Sequence, residues 1–130
     1  MDVSTIAVLG LGKLGAPIAA CMATKGFRVI GVDVDPEKVA AVNRGAPPVF
    51  EPGLEEMMGR ADGRLTATED VGEAVSRSEA TFIVVPTPSD PDGGFSTRYV
   101  LLACEAIGDA IKDQDFHLVV LTSTVLPGTT

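Results

Sequence analysis

Three glycines stand in the hexamer Gly10-Leu11-Gly12-Lys13-Leu14-Gly15, directly after the apolar run Ile6-Ala7-Val8-Leu9. A carboxylate, Asp33, closes a second apolar run eighteen positions beyond Gly15. This spacing suits a strand that turns sharply into a helix. Gly10 permits the turn, Gly12 lets the backbone come close to a ligand, and Gly15 lets the helix lie against the sheet. The unpaired N–H groups at such a helix start, together with the positive end of its dipole, favour a diphosphate. A carboxylate at the tip of the next strand accepts hydrogen bonds from two neighbouring ribose hydroxyls. The combined chemistry is that of holding a dinucleotide.

The hexamer alone is a weak signal in a chain with 14 glycines. Its context strengthens it: an apolar strand before, helical spacing after (Leu14, Ile18, Cys21, Met22), and an acid close to the expected distance of about twenty residues. Asp33 also bears on the cofactor. Beside the extra phosphate of NADP it would meet a like charge, and such a pair about 4 Å apart repels by about 1 kcal/mol in water and about 4 kcal/mol at an effective dielectric near 20. NAD is therefore favoured. A solvated Asp33 that caps the following helix is the plainer reading and is compatible with this role.

The 130 residues suffice for one domain that buries roughly two-thirds of its unfolded surface. Hydrophobic residues make up 45% with few aromatics, suiting a Val- and Ile-rich sheet under Ala-rich helices. No run approaches the roughly 18 apolar residues of a membrane span, and no basic stretch precedes a signal core, so a cytoplasmic protein is expected. Ten basic against eighteen acidic residues give a net charge of −8, unfavourable for nucleic acid or an anionic membrane. Cys21 and Cys104 fall on apolar faces of predicted helices. Buried free thiols are expected there, with a disulfide or a nucleophile as the alternatives.

In chain order, a first helix is predicted from about Leu14 to Lys25, ending at Gly26, and a second strand over Arg28 to Asp33. Asp35-Pro36-Glu37 reads as an N-cap, a proline in the first turn and an acid at the positive helix end. That second helix turns Val39 and Val42 inward and ends near Arg44-Gly45. Lys38 in its first turn either reaches the adenosine end beside Asp33 or is merely solvated. After a proline-rich connection over Ala46 to Pro52, a short helix from Gly53 to Arg60 covers the core with Leu54, Met57 and Met58. A third strand at Leu65 to Ala67 leads to a helix at about Asp70 to Arg77 with Val71, Ala74 and Val75 on one face.

Thr81 to Val85 is nearly continuously apolar, as expected of a strand covered on both faces. The loop from Val85 to Gly94, rich in Pro, Gly and Asp, leaves the strand end where open parallel sheets bind ligands. Thr87 offers a hydroxyl there; a plain connecting loop is the alternative, and composition does not choose. Thr97 to Lys112 is the longest helix, with Val100, Cys104, Ile107 and Ile111 at helical spacing. The strand Leu118 to Leu121 follows, and Ser123-Thr124-Val125-Leu126-Pro127-Gly128 returns to the ligand edge. His117 lies at the opposite end and receives no catalytic role. No Cys/His cluster has metal spacing, so no metal is expected. The sum is an α/β fold: a Rossmann-type open parallel sheet of order 3-2-1-4-5, with helices on both faces, right-handed crossovers and the glycine turn at the switch point between strands 1 and 4.

With these segments placed, the chain resembles the N-terminal domain of the UDP-glucose/GDP-mannose dehydrogenase family over essentially its whole length. The resemblance is carried by the glycine hexamer, Gly31-Val32-Asp33-Val34-Asp35, Asn43-Arg44-Gly45, Glu51-Pro52-Gly53-Leu54, Val85-Pro86-Thr87-Pro88 and Ser123-Thr124-Val125-Leu126-Pro127-Gly128-Thr129. The glycine fingerprint is shared with many dehydrogenases, whereas the Glu-Pro-Gly-Leu, Pro-Thr-Pro and Ser-Thr-Val stretches are far more specific. The resemblance implies an NAD-dependent oxidation of the C6 alcohol of a UDP- or GDP-sugar to the uronate with two NAD, in polysaccharide biosynthesis. It implies cofactor contacts at Gly10, Leu11, Gly12, Lys13, Leu14, Gly15, Asp33, Lys38, Val85, Pro86, Thr87, Ser123 and Thr124. The amides of Lys13 and Leu14 would face the pyrophosphate, and Thr124 would also help hold a water near the reacting carbon.

The family's nucleophilic Cys, with its Lys and Asn, lies downstream of Thr130, and Cys21 and Cys104 match none of these positions. The resemblance therefore makes residues 1–130 the cofactor domain of a longer enzyme, with the central helix and sugar-binding domain outside it. It also implies a homodimer for the full-length protein and a monomer for this piece. Two departures stand out. Position 13 is Lys where many members carry an aromatic, and Thr122 replaces a basic residue that usually contacts the sugar nucleotide, which leaves the substrate open. A free-standing NAD/NADH-sensing module is the alternative, and the related 3-hydroxyacid dehydrogenases, which lack the more specific stretches, rank below both.

Overall fold

The computed structural model describes residues 3–85 and 98–122. Five parallel strands, β1 (Thr5–Leu9), β2 (Arg28–Val32), β3 (Leu65–Thr68), β4 (Ala80–Ile83) and β5 (Leu118–Leu121), form one sheet in the order β3-β2-β1-β4-β5. The helices are α1 (Gly15–Thr24), α2 (Pro36–Asn43), α3 (Leu54–Arg60), α4 (Val71–Ser76) and α5 (Arg98–Ala110). Alternation along β1 sends Ile6 and Val8 to one face, against Ala16, Ala19 and Ala20 of α1, Val42 of α2, and Leu54 and Met58 of α3. Ala7 and Leu9 go to the other face, against Ala74 and Val75 of α4 and Ala103 and Ile107 of α5. Both faces of the sheet are covered, which is why its central strands read as unbroken apolar runs. The expected strand order and helix sequence are borne out.

The face of α1 differs from the expectation. Ala16, Ala19, Ala20 and Ala23 are buried, whereas Leu14 is 56% exposed and Cys21 is also exposed. A helix starting at Gly15 lies too close to the strands for large side chains, so the small residues face inward and the larger ones look out. Cys104 is a second correction. The inward stripe of α5 runs through Val100, Ala103 and Ile107, which places Cys104 a hundred degrees round the helix and exposed. Both cysteines are free, but neither is buried.

Asn43 accounts for the conspicuous Asn-Arg-Gly triplet. Its side-chain amide donates to the Ala67 carbonyl at 3.0 Å, and its carbonyl accepts the Ala67 N–H at 2.8 Å. It thus pairs with edge strand β3 as a neighbouring strand would, occupying backbone groups otherwise open to another chain. Asn43→Ala is expected to cost about 1–2 kcal/mol and to leave NAD affinity unchanged, which denaturant melts beside a binding titration will check.

At the pole away from the glycine turn a polar network ties β1, β4 and β5 to α4. Glu79 Oε1 accepts from the Ser4 N–H (2.8 Å), the Ser4 hydroxyl (2.9 Å) and the Thr5 N–H (3.1 Å). These bonds, the Ser4 N–H foremost, hold its carboxyl below the usual value of 4.5 against an opposing effect of burial. Gln114 donates to the Val75 carbonyl, so its own carbonyl faces His117 Nδ1 at 2.9 Å, while His117 Nε2 lies 2.7 Å from the hydroxyl of fully buried Thr81. The Gln114 carbonyl can only accept, which places a proton on Nδ1. Burial lowers the His117 pKa below 6.5, against the opposing influence of Ser78 and Glu79.

The unfolded chain therefore takes up a proton on His117 more readily than the native one, and stability falls as pH drops below 6.5. Glu79 adds a second loss as pH drops below 4.5, because its native form resists protonation. His117→Gln is expected to flatten the upper part of the stability–pH curve while leaving the lower part. Thermal melts from about pH 8 down to about pH 2 will show whether the two windows separate in this way.

Candidate functional site

The C-terminal ends of β1 and β4 lie side by side at the point where strand order reverses, and the chain turns there from β1 into α1. Gly10 holds φ +104°, and a Cβ on it would overlap the Val84 carbonyl oxygen. A Cβ on Gly15 would overlap the carbonyl oxygen of Gly10, so the helix start and the turn are in direct backbone contact. Gly12 is different: a Cβ there would meet nothing within 4 Å and would project into the open crevice that Gly12 lines. The first two glycines are demanded by the fold, and the third leaves room for something that is not the protein.

The N–H groups around this corner divide in the same way. Gly10 donates to the Val32 carbonyl at 2.7 Å and Leu11 to Asp33 Oδ2 at 2.9 Å. The amides of Gly12, Lys13 and Leu14 have no acceptor among the described residues, and no side chain caps α1. Three successive donors at a helix start form an anion cradle. The Lys13 and Leu14 side chains are both exposed; Leu11, fully buried, packs its methyl groups on Gly31, where any larger residue would displace it.

Asp33, the first residue past β2, is half-buried. Beyond the bond from Leu11, its Oδ1 accepts the Asp35 N–H at 2.9 Å. A carboxylate oxygen accepts two hydrogen bonds, so each oxygen retains one position for a ribose hydroxyl. The acid is aimed by two main-chain amides and forms no ion pair among the described residues. Asp35 in turn caps α2 through the Glu37 N–H at 2.9 Å, as the Asp-Pro-Glu signal indicated.

A crevice of about 530 Å³ runs along these strand ends. Of the residues singled out from the sequence, Gly10, Gly12, Asp33, Lys38 and Val85 line it. Pro86, Thr87, Ser123 and Thr124 lie outside the described residues. Thr122, the last before them, donates its hydroxyl to the Ile83 carbonyl at 2.9 Å and its N–H to the same oxygen at 3.0 Å, fastening the end of β5 to β4. The crevice also includes Glu69 after β3, Val71, and Tyr99, Leu102 and Ala106 of α5, none of which the sequence reading placed in the site. Strand-end position marked Glu69 in retrospect; the α5 residues carry no local signal, because only packing sets which side of that helix meets the crevice.

A larger hollow of about 900 Å³ lies over Pro47 to Glu56. Its charged lining is Glu51, Glu55 and Glu56, with no cation, so it repels a diphosphate. Size therefore yields to chemistry, and the strand-end crevice is the candidate site. Its donor set fits a dinucleotide: open amides for the diphosphate, an aimed carboxylate for the ribose, and space where Gly12 lacks a side chain.

An open parallel sheet with this corner at its switch point defines a dinucleotide-binding domain of Rossmann type. The model of the UDP-glucose/GDP-mannose dehydrogenase family, NAD binding domain, matches residues 4–130, and the chain belongs to that family. NAD is accordingly its cofactor. Over 127 residues it is 45% identical to a GDP-mannose 6-dehydrogenase of Pseudomonas aeruginosa, covering 95% of this chain and 29% of the relative. It is 42% identical to a UDP-glucose 6-dehydrogenase of Haloferax volcanii, covering 96% of this chain and again 29% of the relative. The solved UDP-glucose dehydrogenase of Pyrobaculum islandicum superposes with a TM-score of 0.93 at 47% identity, over 99% of this chain and 31% of that one. The chain thus spans less than a third of each of these three relatives. Among its described residues no helix is long and apolar enough to cross a membrane.

Proposed function

We propose that these residues form the N-terminal, cofactor-holding part of a nucleotide-sugar 6-dehydrogenase, which oxidises the C6 alcohol of a UDP- or GDP-sugar to the uronate. The observation that carries this reading is the row of unpaired amides at Gly12, Lys13 and Leu14 beside an aimed Asp33, within a chain similar throughout to such dehydrogenases. When bound, NAD supplies the hydride acceptor, and two equivalents remove the four electrons between alcohol and acid. The residues of this chain bind and orient. The three amides take the diphosphate, and Asp33 and Lys38 take the adenosine ribose. Val85, Pro86, Thr87, Ser123 and Thr124 are assigned by resemblance to the path beyond, with Thr124 an auxiliary that orients a water. A threonine hydroxyl directs a proton but is too weak a base to drive the oxidation.

Similarity to a GDP-mannose enzyme and to UDP-glucose enzymes is nearly equal, so this domain does not single out the sugar. The sugar pocket, the nucleophile and a homodimer interface are assigned to the remaining length of the enzyme. Nothing in the similarities supports a free-standing sensor. The test is an assay of the full-length protein for NAD reduction against a panel of UDP- and GDP-sugars. Two NADH formed per sugar consumed are expected for at least one member; NAD binding without reduction on any of them would overturn the reading. Gly12→Val is expected to fold normally, because its side chain enters open space, and to weaken NAD binding by at least about tenfold, equivalent to about 1.4 kcal/mol, as calorimetric titration beside a thermal melt will show.

A further inference from the structure

The crevice carries another carboxylate beyond Asp33. Strands β2 and β3 pair with Val32 opposite Thr68, so Asp33 and Glu69 are the first residues past their strands, one strand apart at the same level. Neighbouring strands are spaced about 4.8 Å. Asp33 and Asp35 are each committed to main-chain amides. The exposed Glu69 side chain lines the same crevice and has no hydrogen bond or ion pair among the described residues. The crevice it borders is lined mostly by apolar side chains, Val34, Val71 and Leu102 among them, with Lys38 its one cation among the described residues.

A ligand laid along the strand ends from β1 to β3 therefore meets a row of amides, then a fixed carboxylate, then an apolar slot with an uncommitted carboxylate at its edge. A dinucleotide presents a diphosphate, a ribose and a purine in that order. A flat purine fits an apolar slot, and a carboxylate, which can only accept, requires a donor on the purine's edge. We infer that Glu69 reads the base of the cofactor, accepting a hydrogen bond from the 6-amino group of adenine and disfavouring a 6-oxo purine, whose carbonyl oxygen would face it. The inference rests on the placement of the ribose at Asp33 proposed above. It gives Glu69 a role in specificity, separate from the choice between NAD and NADP.

The test is calorimetric titration of the purified protein with NAD and with nicotinamide hypoxanthine dinucleotide, for wild type, Glu69→Ala, Glu69→Gln and Asp33→Ala. Wild type is expected to prefer NAD by about tenfold, the worth of one charge-assisted hydrogen bond near water. Glu69→Ala is expected to lose that factor on NAD alone and to bind the two nearly equally. Glu69→Gln offers both a carbonyl and an N–H, so it is expected to keep NAD and to bind the hypoxanthine form more tightly than wild type does. Each Glu69 variant should keep the wild-type melting temperature. An unchanged base preference in both Glu69 variants, with NAD binding still lost in Asp33→Ala, would overturn the role of Glu69 alone. NAD binding indifferent to Asp33 would overturn the ribose placement beneath it.

Discussion

Gly10→Ala is expected to lower the melting temperature by about 10 °C and to abolish measurable NAD binding. Two costs coincide at this residue. Its φ of +104° lies where a side chain is strained, and the added Cβ would overlap the Val84 carbonyl oxygen, a backbone atom of the neighbouring strand end that cannot swing aside. Backbone strain of this kind costs about 1–3 kcal/mol, and overpacking a similar amount. Their sum, about 2–6 kcal/mol, is a large part of the roughly 5–15 kcal/mol that separates a typical domain from its unfolded chain. Any relaxation must also move the turn that aims the three open amides, so binding and stability fall together. Gly15→Ala should behave alike, since its Cβ would enter the Gly10 carbonyl. Calorimetric melting and an NAD titration check both; a melting temperature within a degree or two of wild type would mean that the corner is looser than its contacts indicate.

The second large effect belongs to Asp33. Asp33→Ala is expected to weaken NAD binding by about a hundredfold, through two charge-assisted hydrogen bonds to the ribose that together contribute about 3 kcal/mol. Part of the loss arises within the protein itself, because the substitution also strips the acceptor from the Leu11 and Asp35 amides. Asp33→Asn separates the contributions: its one carbonyl oxygen keeps one of those amides, so its loss should be smaller. The preference for NAD over NADP should narrow in both variants, since the charge that repels a 2′-phosphate is gone. Titrations of the three proteins with both cofactors decide it, and an Asp33→Ala protein with unchanged affinity and preference would remove Asp33 from the site.

The features legible in the sequence were those written in local spacing. The five strands, the Asp35 cap, the Leu54 and Met58 contacts and the 3-2-1-4-5 order all follow from apolar runs, turn residues and the rule that parallel strands need crossovers. The inward face of α1 did not, because a hydropathy pattern favours Leu14, Ile18 and Cys21, whereas the close approach at Gly15 rewards Ala16, Ala19 and Ala20. Cys104 shows the same limit: positions 100, 103 and 107 and positions 100, 104 and 107 are both helical spacings, and only the packing of α5 on α4 and the sheet selects between them. Within the site, the glycine corner and Asp33 were readable from their spacing. The bond from Leu11 to Asp33, which joins the two halves of the motif, was not, since it depends on where a turn and a strand end meet in space. The α5 lining was hidden for the same reason, whereas Glu69 is marked only by its place just past β3.

The central claim is that main-chain amides at the glycine corner hold the diphosphate while the acid at the tip of β2 holds the ribose. Amide-resolved NMR of the isotopically labelled protein, titrated with NAD, tests it residue by residue. The expected result is that the largest shifts fall on the amides of Gly12, Lys13 and Leu14, with a second group at Leu11 and Asp35, whose N–H groups share Asp33 with the ligand. Shifts confined to the Pro47–Glu56 hollow, with the amides of the corner unmoved at saturating NAD, would contradict it.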